Sequence, residues 1–349
     1  MRHFWLNFHV GYACRHSGVC CSSGWPIPVE RDRVIPIRSL TGRPDDEWLV
    51  PTANAPADVA GTLAVRSNGE CTFFRVPTSN ALPPGSALPP SRAVPAGAAG
   101  CGVHAARPAS CAHFPFVCLI DARGAHVTLS HYCPTAASML FEDHGPIAIV
   151  EGPSPVAGFE IPEGLDARES LPPAFAETST SAEAAADRSA GKPHAAKMRL
   201  MSWDAFSAWE RKEVTRAIVD LPLAQAIALF EHARAAVPAP WSWPAAPSDL
   251  EHGWSTLVAP AWPAYAPVVQ RYRAAKVFAS WAAYTSGGLA AVQRVAGIAD
   301  TVLRVEAVRQ CVTCDRVLDA ELLQQAIRQA DLLLVHYADA GVLSSADPL

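Results

Sequence analysis

The sequence predicts an α+β protein in which a small cysteine-rich domain with short hairpins precedes an all-α helical domain. Three observations lead to this prediction. Eight of the ten cysteines fall in the first 133 residues, and short apolar runs separated by turn signals fill the same region. After residue 197, apolar residues recur at helical spacing. At 349 residues the chain exceeds the usual size of a single core, so two folded regions are expected.

Two hairpins are expected in the first domain, which we place at residues 1–149. Asn68-Gly69 lies between two short apolar runs, and an Asn-Gly pair is a strong signal for a tight hairpin turn. The segment Asp121-Ala-Arg-Gly124 separates a second pair of such runs. Both turns would fold the chain back on itself within the cysteine-rich region.

The rest of the first domain and its boundary follow from proline and from composition. A helix is expected from Pro134, because proline suits the first helical turn. Residues 77–100 are rich in proline and alanine and lack hydrophobic periodicity, so they are predicted to form a surface loop. Residues 150–196 shift to proline, glutamate, alanine and serine, which predicts a flexible linker.

The second domain is expected at residues 197–349 and consists of helices only. Ser202 suits the cap at the start of the first helix. The apolar periodicity predicts helices in the segments 203–219, 223–237, 265–285, 288–310 and 317–340.

Charge and hydropathy exclude several partners. The net charge of -5 and the pI near 6.2 provide no basic face, so we expect neither nucleic acid nor an anionic membrane surface as a partner. The N-terminus lacks an apolar signal region with a cleavage site, and no stretch approaches the roughly 18 apolar residues of a spanning helix. We therefore expect a cytoplasmic protein.

The clustered cysteines predict a metal site. Disulfides are disfavoured in the cytoplasm, where thiolates commonly bind metal. The alternatives are a secreted disulfide framework or buried cysteines that pack as small apolar residues, and packing cysteines should scatter along the chain. Thiolates favour soft or borderline metals, so zinc and iron-sulfur clusters are the leading candidates. The predicted ligands are Cys14, Cys20, Cys21, Cys71, Cys101, Cys111, Cys118 and Cys133.

Local spacing supports this grouping only at the N-terminal end. The segment Y-A-C-R-H-S-G-V-C-C contains Cys14 and the vicinal pair Cys20-Cys21, and Gly18 allows a sharp turn between them. The later cysteines are too widely spaced for a single zinc-binding loop and meet only if prolines turn the chain. Cys311 and Cys314 form a separate pair, expected to be packing thiols or an isolated local pair.

The cysteine motifs follow an order that is known from a protein family. In chain order they are C-R-H-S-G-V-C-C, Cys71, C-G-V-H from Cys101, R-P-A-S-C from Arg107, and F-P-F-V-C from Phe114 to Cys118. This order, over roughly residues 12–135, resembles the YkgJ-type cysteine-cluster family. That family is described as a zinc- or iron-chelating domain with a C-x-x-C-x-x-C-C hallmark, and it includes flagellin lysine N-methylases. The chain departs from the hallmark, because Cys14 lies six positions before the vicinal pair and the intermediate cysteine is missing.

The resemblance implies a cofactor and roles for single residues. In the methylase members the cysteines are thought to hold an iron-sulfur cluster, which implies a cluster, expected to be [4Fe–4S], on the eight cysteines. Eight thiols exceed one four-ligand site, so either some are structural or two metal centres exist. His104 and His113 are weaker ligand candidates, and for both, as for His131, the alternative is a satisfied structural imidazole. Arg107 is expected to donate hydrogen bonds to the thiolates, and the alternative is a surface cation.

Three functions remain open from the sequence. The first, implied by the resemblance, is a protein-lysine N-methyltransferase that acts on a protein substrate with S-adenosylmethionine. The glycine-rich turn of common nucleotide sites is not visible, so this cofactor is implied by the resemblance only. The second is a zinc or iron chelation or carrier module. The third is an interaction protein without catalysis, in which zinc staples the N-terminal domain.

Overall fold

The computed structural model describes residues 1–75, 100–156, 161–174, 201–216, 247–285 and 288–337. In these ranges the chain combines α and β structure, and its C-terminal region is helical as predicted. Residues 77–99 of the predicted loop 77–100 and the predicted helix at 223–237 lie outside the described residues, and Gly100 begins a short strand instead of ending the loop. None of the helices in the described ranges combines the length and apolar character needed to span a lipid bilayer.

The strands of the described residues form three sheets. In chain order the strands are β1 (His3–Leu6), β2 (Pro28–Glu30), β3 (Leu49–Val50), β4 (Val59–Leu63), β5 (Phe74–Arg75), β6 (Gly100–Cys101), β7 (Phe116–Asp121), β8 (Gly124–Leu129), β9 (Ile149–Glu151) and β10 (Leu165–Asp166). The largest sheet has the order β10-β7-β8-β1-β9. Its β7–β8 and β1–β9 pairs are antiparallel, whereas β1–β8 and β10–β7 are parallel. The small sheets are β2-β4-β3 and β5-β6.

Both predicted hairpin turns are present. β7 and β8 pair from Phe116 to Asp121, and Gly124 after the turn has a φ of 142°. A Cβ on Gly124 would lie 2.5 Å from the carbonyl oxygen of Arg2, so the close approach of the N-terminal chain requires glycine here. At the other turn, Arg66 N donates to the carbonyl oxygen of Glu70 at 2.7 Å.

The predicted linker at residues 150–196 contains part of the largest sheet. Val150 and Glu151 in β9 pair with β1, and Leu165 and Asp166 in β10 pair with β7. The prediction of a flexible linker is therefore wrong for these residues. Backbone hydrogen bonds to strands far away in the sequence hold them, and composition does not report such pairing. Residues 157–160 and 175–200 lie outside the described ranges.

Helices are present in four of the five predicted segments and from Pro134, whereas the helices at residues 31–41, 109–113 and 247–253 were not predicted. The helices of the described residues are α1 (Arg31–Thr41), α2 (Ala109–His113), α3 (Pro134–Met139), α4 (Trp203–Thr215), α5 (Pro247–Gly253), α6 (Ala266–Val277), α7 (Ala282–Thr285), α8 (Gly288–Cys314) and α9 (Ala320–Asp331). Ser202 caps α4 as predicted, accepting a hydrogen bond from Ala205 N. The predicted segment 265–285 divides into α6 and α7 at Ala279, whose φ is 58°. The segment 317–340 begins at the Asp319 cap, and α9 ends in a π-helical turn at Leu332–Tyr337.

The sheet and the helices share one apolar core. Leu6, Phe8 and Leu119 from the N-terminal region belong to the same buried cluster as Val302 of α8 and Leu323 of α9. The apolar cores of the two predicted domains are thus continuous across the described residues. A second cluster, around Val29 and Trp48, lies beneath the small sheets.

Candidate metal centre

One cavity of about 60 Å³ collects most of the predicted ligands, and this volume holds a few waters or a small inorganic group. Seven of the eight N-terminal cysteines line it, and all ten cysteines of the chain are free thiols. Arg107 and His104 line the same cavity, as do the apolar side chains of Ile27, Leu63, Val103 and Phe114. The seven cysteines are Cys14, Cys20, Cys21, Cys71, Cys101, Cys111 and Cys133.

The turn at Gly18 brings the vicinal pair to the cavity. Gly18 has a φ of 75° and precedes a short 3-10 turn at Val19–Cys21. A Cβ on Gly18 would lie 2.3 Å from the ring of Phe74, so both the backbone conformation and the packing require glycine. Backbone contacts then connect this turn to the next ligand, because Cys71 N donates to the carbonyl oxygen of Cys21 at 2.7 Å.

The short β5–β6 pair brings the central cysteines together. Phe74 pairs with Cys101 across this ladder, and Val65 forms a β-bridge with Cys71. Gly102 N also donates to the carbonyl oxygen of Phe73 at 2.8 Å. Cys71 and Cys101, thirty positions apart in the sequence, are therefore held on one wall by main-chain hydrogen bonds.

The last two cavity cysteines lie at helices. Cys111 is in α2, where the Glu30 carboxylate accepts a hydrogen bond from Ala109 N in the first turn. A carboxylate at this end of a helix is favoured by the helix dipole. Cys133 immediately precedes α3, and its Sγ lies 3.5 Å from the Tyr12 hydroxyl.

Three of the thiols influence one another's ionisation. The neighbouring Cys21 thiol lowers the pKa of Cys20 and lowers the pKa of Cys101 to about 7. Cys101, Cys20 and burial together raise the pKa of Cys21. Cys20 and Cys101 therefore favour the thiolate, which is the form that binds metal, more than Cys21 does.

The other thiols of the cavity resist ionisation. Burial raises the pKa of Cys71, Cys111 and Cys133. A second thiolate nearby adds to the cost, since Cys20 and Cys101 also raise the pKa of Cys111. A metal cation removes this conflict, because several thiolates can then be buried against its charge. The donor chemistry of the cavity therefore fits a soft metal.

Arg107 lies next to this group. The Cys21 thiol has the largest influence on the pKa of Cys20 and Cys101, and the charge of Arg107 also lowers both. Burial raises the pKa of Cys111, and the charge of Arg107 opposes part of that rise. The Nη1 of Arg107 also donates to His104 Nε2 at 2.7 Å. The described contacts of Arg107 include this hydrogen bond to His104 and none to a cysteine sulfur, so the predicted hydrogen bonds to the thiolates stay a prediction.

A second group of donors lies beside Cys14. The candidate ligand atoms of Cys14, His16 and His104 all lie within 4.8 Å of one another. Cys14 and His16 are exposed, and His104 is half-buried. The sequence analysis missed His16. The available signal was the C-x-H spacing from Cys14. This spacing is too common to indicate a ligand unless it is known that His104 lies close to His16.

Two predicted ligands and one further candidate lie elsewhere. Cys118 packs in an apolar cluster with Trp5 and Val127, away from the cavity lining, and burial raises its pKa to about 12. His113 Nδ1 donates to the carbonyl oxygen of Ala109 at 2.9 Å and lies 3.2 Å from the Glu163 carboxylate. The third histidine, His131, hydrogen-bonds to Asp331. These three positions match structural roles.

No family model, no curated protein and no solved structure matches the chain. The resemblance to the YkgJ-type family therefore stays a prediction from the motifs. The function is argued below from the geometry of the cavity.

Proposed function

We propose that the chain is a metal-binding protein whose cavity thiols hold an iron-sulfur cluster or zinc. One observation carries this proposal. Seven cysteines from five separate segments line a single small cavity, and none of them is in a disulfide. Packing cysteines have no reason to meet in this way, and their clustering in a small cavity produces the proton conflict described above.

Five of these thiols form the inner thiol group, which shares the cavity lining and whose members influence one another's pKa. They are Cys20, Cys21, Cys71, Cys101 and Cys111. Four thiolates suffice for zinc or for an iron-sulfur cluster. Binding releases the protons of Cys21, Cys71 and Cys111, so affinity should rise with pH. Arg107 would offset part of the negative charge of the bound centre.

The test is metal analysis of the full chain purified without oxygen. We expect either iron with acid-labile sulfide and a brown colour, or colourless protein with bound zinc. Cys101→Ser and Cys20→Ser should lose this metal. Cys314→Ser is the matched control, because Cys314 is exposed and far along the chain from the cavity. Wild-type protein without any bound metal, or unchanged metal in both cavity variants, would refute the proposal.

The same measurements separate the roles of the metal. A weakly held and readily exchanged metal indicates a carrier, whereas unfolding on chelation of zinc indicates a structural staple. The methyltransferase hypothesis is supported by the motif resemblance. It further requires that S-adenosylmethionine raise the Tm of the metal-loaded protein, and no shift at saturating concentration would count against it.

A further inference from the structure

We infer that Cys14, His16 and His104 form a second, mononuclear metal site at the mouth of the cavity, with zinc as the ion that its donors fit. This inference rests on the proposed function, since it assigns part of the same cavity. It assigns Cys14 to this mouth site rather than to the inner thiol group. It also explains why the cavity has more cysteines than one four-ligand centre needs.

The first argument for this site is the short distance between its three ligand atoms. The three ligand atoms lie within 4.8 Å of one another. Zinc binds sulfur at about 2.3 Å and nitrogen at about 2.0–2.1 Å, so tetrahedral ligands lie roughly 3.5 Å apart. Closing by about 1 Å is within the reach of these side chains, because Cys14 and His16 are exposed to solvent.

The second argument is the backbone conformation at His16. His16 has a φ of 53°, in the left-handed region that non-glycine residues rarely adopt. Such a conformation persists only when its surroundings hold it, and it is often found at functional sites. Here it brings the His16 ring to 4.4 Å from the His104 ring, measured between centroids. The His16 amide also donates to Cys14 Sγ at 3.4 Å, which holds these two residues of the group together.

The third argument is the chemical type of the three donors. One thiolate and two imidazoles are a borderline set, which suits zinc and disfavours calcium and magnesium. Three protein ligands leave the fourth tetrahedral position for water or for an exchangeable donor. The inner thiol group, by contrast, has five thiols, which are enough to supply all four ligands of a metal centre. The two groups thus differ both in chemistry and in access to solvent.

Arg107 lines the same cavity, contacts His104 and influences the inner thiols through its charge. Its Nη1 donates to His104 Nε2, so this nitrogen carries a lone pair, and the imidazole is neutral, as a metal ligand must be. If zinc binds at Nε2, the guanidinium loses its acceptor. It can then turn toward the thiolates of Cys20 and Cys101, whose pKa it already lowers.

The test compares zinc binding by variants of the full-length chain under anaerobic conditions. The double variant His16→Ala/His104→Ala removes two of the three donors, and His252→Ala, a change at an exposed histidine of α5, is the matched control. Zinc is titrated in competition with a chromophoric chelator, and iron and sulfide are measured on the same samples.

We expect the double variant to bind about one zinc fewer per chain than wild type, with unchanged inner metal. Loss of a supporting partner costs about 10–100-fold in metal affinity, so loss of two direct ligands should cost at least that much. Cobalt in the wild-type mouth site should show a thiolate-to-metal charge-transfer band that Cys14→Ser abolishes. The His252→Ala variant should match wild type in both measurements.

The outcomes distinguish this inference from the proposed function. Wild-type zinc stoichiometry and affinity in the double variant would overturn the mouth site, even if Cys101→Ser loses its metal. Loss of one zinc in the double variant, with no change in either Cys101→Ser or Cys20→Ser, would support the mouth site and refute the inner centre. Circular dichroism confirms that each variant is folded.

Discussion

Gly18 shows how much of the cavity depends on one residue without a side chain. It combines a left-handed backbone with direct packing against the ring of Phe74, which is itself buried. Cys20 and Cys21 follow within the same turn. Any side chain at this position therefore acts on the position of the vicinal pair.

Gly18→Ala should destabilise the fold and weaken metal binding. The matched control is Gly42→Ala, because Gly42 has a similar φ of 67° but nothing within 4 Å of a built Cβ. The control isolates the backbone penalty, about 1–2 kcal/mol. Gly18→Ala should cost more than this, since its Cβ also displaces the Phe74 ring. Denaturant unfolding and metal content measure the two effects, and equal losses in both variants would contradict the argument.

The sequence predicted which residue types line the cavity better than it predicted the position of each individual residue. Clustering along the chain identified seven cysteines that line the cavity. Spacing could not show that Cys118, in the apolar run of β7, packs among Trp5 and Val127, because the side-chain surroundings depend on β8 and β1. His16 was missed for the converse reason, since its partner His104 is distant in the sequence.

At the scale of elements, Arg123 connects the β7–β8 hairpin to helix α4. Its Nη1 donates to the Glu210 carboxylate at 2.7 Å and to Ser207 Oγ at 3.1 Å. Its Nη2 donates to the Asp121 carboxylate at 2.5 Å. Asp121 and Glu210 are both buried, and the pKa of Asp121 is held below its ordinary range by hydrogen bonds from His126 and Arg123, against the opposing effect of burial.

Arg123→Ala should therefore be strongly destabilising. It leaves two buried carboxylates without their shared cation, and breaking a buried pair in this way costs about 3–5 kcal/mol. Arg168→Ala is the control, because the Arg168–Asp166 pair is exposed to solvent and should contribute little to stability. Urea unfolding measures both changes. If Arg123→Ala lowers the free energy of unfolding no more than Arg168→Ala does, the contacts of Arg123 do not stabilise the fold.

Local elements were predictable where their signals were local. The turn before Gly124, the Pro134 helix start and the Ser202 cap were all predicted and are present. β9 and β10 were missed, because their order comes from pairing with β1 and β7. The break at Ala279 was missed too, since neither glycine nor proline marks it.

At the scale of the whole molecule, the C-terminal turn contacts the N-terminal loop region directly. His336 lies on the π-helical turn after α9 and stacks on Trp25 with 4.3 Å between ring centroids. Its Nε2 lies 2.8 Å from Ser130 Oγ. Burial lowers the pKa of His336 to about 4. Burial also lowers the pKa of His9 and His131, which contact each other in the same interior.

The folded protein should accordingly lose stability as the pH falls from about 6.5 to about 4. In this window the unfolded state binds a proton at His336 that the folded state excludes, so the free energy of unfolding decreases with falling pH. The full effect for His336 is roughly 3 kcal/mol. His336→Gln should flatten this dependence in urea unfolding series at several pH values, while His252→Gln should keep it. An unchanged slope in His336→Gln would contradict the assignment.

The sheet order has a consequence for when the protein can mature. The inner strand β1 lies between β8 and β9, which follow much later in the chain, and the donors of the cavity extend from Cys14 to Cys133. During synthesis the first cysteines emerge long before the segments that complete their surroundings. Metal loading of the finished cavity must therefore follow translation of roughly the first 150 residues, and thiols that emerge earlier are open to oxidation.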